Sequence, residues 1–241
     1  MEPKYFALEN REQVERFERL LAEYSKARAQ IALEHIPLAK AFDELHKRPD
    51  GGRIFTALLD LYLNFHLIDY DMTTVGGTWN NLFSNGKLEG GSILDTQAKF
   101  FGKMDIHRYA SSFVLRYRAV WDKLMGFLIL YFAPEEYESF ANSKSKKKSF
   151  RRIAAEIDAL PQDYVNKILD FIEKFDNTFR TPEAHGTGSV RKWSLTMESF
   201  KDNPLIDLIG YWNIVNHTML VIGGIFDPSK SPKPAHAKDT L

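Results

Sequence analysis

The spacing of apolar residues constrains this chain more than any other feature. Ile106, Tyr109, Phe113, Tyr117, Trp121, Leu124, Leu128 and Tyr131 recur at steps of three or four across residues 106–132. An α-helix turns once every 3.6 residues, so this spacing gathers the apolar side chains on one face and predicts an amphipathic helix. The same rhythm runs through Val14, Phe17, Leu21, Tyr24, Ala27 and Ile31, and again through Val165, Ile168, Leu169, Ile172, Phe175 and Phe179. Residues 54–68 are densely apolar and predict a buried helix. Asn203 followed by Pro204 is the chemistry of a helix start, opening a last helix through Ile206, Ile209, Trp212 and Leu220.

Breakers punctuate these stripes. Pro37 interrupts the first helix, a second piece extends to about His46, and residues 47–52 predict a turn. Gly76-Gly77, Asn80-Asn81, Asn85-Gly86 and Gly90-Gly91 predict an irregular insertion around residues 72–100, with Asp105 as N-cap of the helix that follows. Pro134-Glu135-Glu136 opens a short helix and Pro161 another. Alternating strand patterns are missing. The expectation is therefore one all-α domain over residues 1–226, with a disordered tail at 227–241 rich in Pro, Ser and Lys.

Composition narrows the function classes. At 44% hydrophobic and 13% aromatic residues, the chain can bury a substantial core. With no cysteine, disulfides, thiol nucleophiles and Cys-ligated zinc are excluded. Lys+Arg and Asp+Glu both number 32, so binding to a polyanion must come from a local patch. The concentrated basic stretch is Ser143-Lys-Ser-Lys-Lys-Lys-Ser149 with Phe150-Arg151-Arg152. The start of the chain lacks signal-peptide character, and the apolar stretches, such as 126–132, read as too short to span a bilayer. The expectation is a cytoplasmic protein without membrane contact. His66 and Asp69 share a helical face near Asp71, but two or three loosely spaced ligands assign no metal site. No cofactor fingerprint is present.

The chemistry-bearing stretch is Phe179-Arg-Thr-Pro-Glu-Ala-His-Gly-Thr-Gly188. It sets a permanent cation, Arg180, five positions before a titratable imidazole, His185. Arg followed by His at this spacing arises about once by chance in such a chain. Arg28 and His35 supply a second match, inside the first helix. What separates the two is context. Arg180 follows an amphipathic helix, Thr181-Pro182 disfavours its continuation, and Gly186 and Gly188 make the next segment permissive. The plainer alternative is an ion pair between Arg180 and Asp176, with His185 an ordinary loop histidine. Asn213, Asn216 and His217 interrupt the last apolar helix, either as a buried hydrogen-bonded network or facing a cleft.

A long penultimate helix, an Arg-x4-His element at its end and a final apolar helix resemble the HEPN superfamily, the higher eukaryotes and prokaryotes nucleotide-binding bundles. The resemblance covers about residues 105–226 and leaves the first hundred as extra helices. Many active members carry Asn, Asp or His directly after the Arg; this chain has Thr181, and Pro182 stands within its spacer. The resemblance implies a HEPN-like bundle and a metal-independent endoribonuclease, a toxin or an antiviral or stress effector, acting as a homodimer that a neutralising protein partner would restrain. It implies His185 as general acid/base, Arg180 as phosphate stabiliser and Thr181 as their polar neighbour. Arg191 and Lys192 would extend the contacts to RNA, or else are solvated surface charge. Glu183 would repel phosphate unless turned away or paired. The alternative is a non-catalytic HEPN-like bundle binding a nucleotide, RNA or a protein.

Overall fold

The computed structural model describes residues 11–31, 37–83, 93–195 and 203–227, and every regular element among them is helical. The protein is all-α. In chain order the helices are α1 (Arg11–Ile31), α2 (Leu38–Leu45), α3 (Gly51–Phe83) and α4 (Ile93–Phe132). A 3₁₀ turn at Pro134–Glu136 leads into α5 (Tyr137–Ala141), α6 (Lys146–Ala154) and α7 (Gln162–Phe175). A π-helical segment, Asp176–Arg180, then continues without a break into α8 (Thr181–Ala184), followed by α9 (Ser189–Leu195) and α10 (Pro204–Phe226).

Helices α3 and α4 run antiparallel. Asp60 meets Lys123 at 2.6 Å and Asp71 meets Arg116 at 3.4 Å, so one helix advances as the other returns. Helix α10 lies along both. Its Trp212 packs near Phe65 of α3, and its Tyr211 carbonyl accepts a 3.0 Å hydrogen bond from the buried Tyr117 hydroxyl of α4. Further along, Phe226 closes on Phe127 and Tyr131. Helix α7 joins through Phe175, whose ring lies 4.1 Å from Tyr117 and 4.9 Å from Tyr211. Helix α1 covers α3 and α10, with Phe17 against Trp79 and Tyr24 against Trp212, both at 4.5 Å. The apolar stripes of the sequence thus meet in one core holding Trp79, Trp121, Trp193 and Trp212. Each large buried side chain of this kind contributes about 1.5–3 kcal/mol through the area it removes from water.

Several expectations need correction. Residues 72–83 are helical, as the end of α3, and 93–100 are the start of α4, leaving 84–92 outside the described residues. Gly76 marks a close helix crossing instead of a turn: a Cβ there would lie 2.6 Å from Leu21 Cδ1 of α1. Asp105 sits inside α4 and caps nothing. Helix α10 is long and apolar enough to cross a membrane, unlike the short stretches expected, yet 61% of its most apolar window is buried in the bundle. Asn203 does cap α10, accepting from Leu205 N–H at 3.0 Å. Asp227, placed by sequence in a tail, takes Lys40 Nζ at 2.6 Å; residues 228–241 lie outside the described residues.

Candidate functional site

The sequence predicts that Thr181-Pro182 ends the helix carrying Phe179, but the chain stays helical through it. Pro182 stands in the first turn of α8, directly after the π-helical segment, and the first turn is where a helix tolerates proline. The segment closes with Thr181 N–H bonded to the Asp176 carbonyl five residues back. The segment is anchored from inside by Phe179, which is buried against Tyr211 of α10 at 5.8 Å. Such π turns are rare and are often found at functional sites. The helix ends one turn later at His185, with Gly186 in the left-handed conformation at φ 70°.

A specified loop follows. The Pro182 carbonyl accepts Thr187 N–H at 2.9 Å, and the Glu183 carbonyl accepts Gly186 N–H at 3.0 Å. The Glu183 carboxylate accepts Val190 N–H at 2.8 Å and Arg191 N–H at 3.4 Å, capping the start of α9. Glu183 is therefore turned away and paired, the condition its sequence position raised. Gly188 makes room for this cap: a Cβ there would stand 1.9 Å from Glu183 Oε1. Beyond it, Trp193 of α9 is fully buried, stacked 6.2 Å from Trp79 with Lys103 Nζ 4.4 Å over its ring.

This scaffold presents Arg180, Thr181, His185, Arg191 and Lys192 at the surface, all exposed. Arg191 folds back so that its Nε lies 3.9 Å from where a Gly186 Cβ would stand, beside His185. Among the described residues, the His185 imidazole and the Thr181 hydroxyl make no hydrogen bond. Arg180 Nη1 lies 3.8 Å from Asp176 Oδ1, so the plain ion-pair reading is present in the geometry, although at a loose distance. Five positions of α-helix rotate through about 500°, which sets Arg180 and His185 roughly 140° apart around the axis. They border one loop without sharing one helical stripe.

Two groups reach the motif's surroundings from distant parts of the chain. His107 of α4 is half-buried, with Ser111 Oγ 3.1 Å from its Nε2. Burial pushes its pKa below the ordinary value; Glu183 opposes that shift and Arg191 reinforces it. The second group is an ionic cluster behind Arg180. Arg118 of α4 meets Asp122 at 2.9 Å and Asp176 at 3.9 Å, and Lys147 of α6 reaches Asp176 at 3.8 Å. Burial raises the Asp122 pKa; Arg118 opposes this, Asp176 reinforces it, and Arg180 and Lys146 oppose it. The i,i+4 spacing of Arg118 and Asp122 was a legible signal, but nothing in the sequence joined it to Arg180.

Other candidates dissolve into structure. Arg28 of the second Arg/His match pairs with the buried Asp69 at 2.8 Å, and His35 lies outside the described residues. Asp69 also accepts the Tyr24 hydroxyl at 3.0 Å, and Asp71 faces Arg116. Among the described residues no group of three metal-ligating side chains gathers. On α10, Asn213 and His217 are exposed and Asn216 is buried, so the trio splits between two faces. A groove of about 660 Å³ also opens between α3, α4 and α5, lined by Arg53, Asp60, Asp122, Lys123, Tyr137 and Phe140 among others. Compared with known proteins, the chain matches no family model, no curated protein and no solved structure.

Proposed function

We propose that this chain is a HEPN-like, metal-independent endoribonuclease acting through Arg180 and His185. The observation that carries the reading is the exposed Arg180 closing the π-helical turn and the exposed His185 ending α8 one turn later, ahead of a loop pinned by the Glu183 carboxylate. RNA supplies its own nucleophile. The 2′-oxygen bonds to phosphorus as the bond to the 5′-oxygen breaks, leaving a 2′,3′-cyclic phosphate and a 5′-hydroxyl. Neutral His185 takes the 2′ proton, and an imidazolium returns one to the leaving oxygen. Arg180 and Arg191 offer planar donors to the non-bridging oxygens, where charge accumulates. A second copy would bring a second imidazole, matching the acid and the base that the reaction needs.

The test is incubation of the purified chain with RNA in EDTA. Cleavage is expected, with a loss of at least about a hundredfold in His185→Ala and Arg180→Ala, the usual scale for acid–base and charge-stabilising groups. Absent cleavage, or cleavage unchanged in both variants, sinks the reading.

One observation favours a second reading, a HEPN-like bundle that binds RNA or a nucleotide without turnover. Arg180 already faces Asp176, and His185 lacks an orienting hydrogen bond among the described residues. Binding that survives His185→Ala, with intact RNA, would select it.

A further inference from the structure

Asp176 is surrounded by cations drawn from three different elements. Arg118 arrives from α4, Lys147 from α6 and Arg180 from the π-helical segment itself. Their nitrogens stand 3.9, 3.8 and 3.8 Å from its oxygens. A charge-assisted hydrogen bond between such groups spans about 2.7–2.9 Å, so each cation sits about 1 Å too far out. The floor of the site is buried and its rim is open: the side chains of Arg118 and Asp176 are 12% and 15% exposed, those of Lys147 and Arg180 34% and 48%. Arg118 Nη1 and Asp176 Oδ1 are buried without a hydrogen-bond partner among the described residues. Buried charged groups ordinarily have such partners, because leaving one unmade costs the full desolvation of the group. Asp122 Oδ1 lies 2.9 Å from the other terminal nitrogen of Arg118 and is likewise buried without a hydrogen-bond partner among the described residues.

We propose that Arg118, Lys147 and Arg180 form a phosphate-binding site whose place is held in the free chain by the Asp176 carboxylate. A carboxylate offers two oxygens in one plane. Donors converging from three elements match a tetrahedral oxyanion better, and its greater reach closes the remaining ångström. Asp176 then acts as a built-in competitor: it keeps three cations together and must yield when phosphate enters. Lys148 and Arg151, exposed on α6 beside Lys147, extend the positive surface outward and attract the anion. The proposal rests on the nuclease reading only in identifying the phosphate as an RNA diester; the site itself stands on the ionic geometry.

The experiment titrates the full chain with inorganic phosphate at constant ionic strength, followed by calorimetry. A parallel arm uses a short oligodeoxynucleotide, which offers diesters but no 2′-hydroxyl to react. Asp176→Asn should bind phosphate about tenfold more tightly than the unaltered chain, since a competing charge is removed. Lys147→Ala and Arg180→Ala should each weaken binding several-fold, while Lys167→Ala, an exposed cation on α7, changes nothing. The site is overturned if Lys147→Ala and Arg180→Ala bind as Lys167→Ala does, a comparison that holds even if Asp176→Asn does not fold. It is overturned equally if a folded Asp176→Asn gains no affinity. Displacement of phosphate by the oligodeoxynucleotide supports a diester ligand, and phosphate binding without displacement supports a free phosphate or monoester. If phosphate binds as described but RNA stays intact, the site stands and the nuclease reading falls. RNA cleavage with no phosphate site removes this inference alone.

Discussion

At the scale of single residues, Glu183 shows how a carboxylate beside an exposed Arg and His can serve the backbone. Its carboxylate holds two N–H groups of α9, and Gly188 leaves the space it occupies. Gly188→Ala should push the carboxylate off its cap and cost about 1–2 kcal/mol, the usual value of a lost helix cap. Chemical denaturation checks this, and Glu183→Ala should give a similar loss. His107 makes a pH-dependent prediction. Its folded pKa lies below its unfolded value, so the stability it contributes is complete above about pH 6.5 and is lost as pH falls through the folded pKa. The melting temperature of the unaltered chain should therefore drop between pH 7 and pH 5 by more than that of His107→Gln. Equal slopes would show that His107 is not held neutral by burial.

At the scale of elements, the π-helical segment decides where Arg180 points. Deleting the exposed Asn177 should restore an ordinary helical register and turn Arg180 away from Asp176 and from its present place beside the loop's entry. Cleavage should fall by about a hundredfold, the scale of a small misplacement of a reacting group, while circular dichroism stays helical. The legibility of the elements in the sequence follows their physics. Helices α1, α4, α7 and α10 were readable because 3.6-residue periodicity is what burial on one face requires. The start at Asn203-Pro204 was readable because the capping side chain acts within its own turn. Gly76-Gly77 misled for a physical reason: glycine marks close approach as well as turns, and only the packing of Leu21 distinguishes them. Thr181-Pro182 misled because Pro182 falls in the first turn of α8, directly after the π-helical segment, where a proline does not stop a helix. Arg180 and His185 were legible as a motif. Arg118, Lys147 and His107 reach the motif from other elements, and one-dimensional spacing does not encode that convergence.

At the scale of the whole molecule, equal numbers of acidic and basic residues leave no long-range field to draw RNA. On the proposed RNA-binding reading the pull comes from α6 and the cluster around Asp176, and affinity for an oligonucleotide should fall with salt on a slope reflecting only a few phosphate contacts. A lone chain offers one exposed imidazole at the loop, and the reaction needs both an acid and a base. If two copies form the proposed nuclease, activity per chain should fall on dilution as the light-scattering mass falls to that of one chain; a rate per chain that is independent of concentration contradicts the dimer. The most direct test of the nuclease account is the chemistry of the product ends after digestion in EDTA. A 2′,3′-cyclic phosphate facing a 5′-hydroxyl is expected, with no cut at a linkage whose 2′-hydroxyl is replaced by hydrogen. A 5′-phosphate product, or cleavage that persists at the 2′-deoxy linkage, would contradict it.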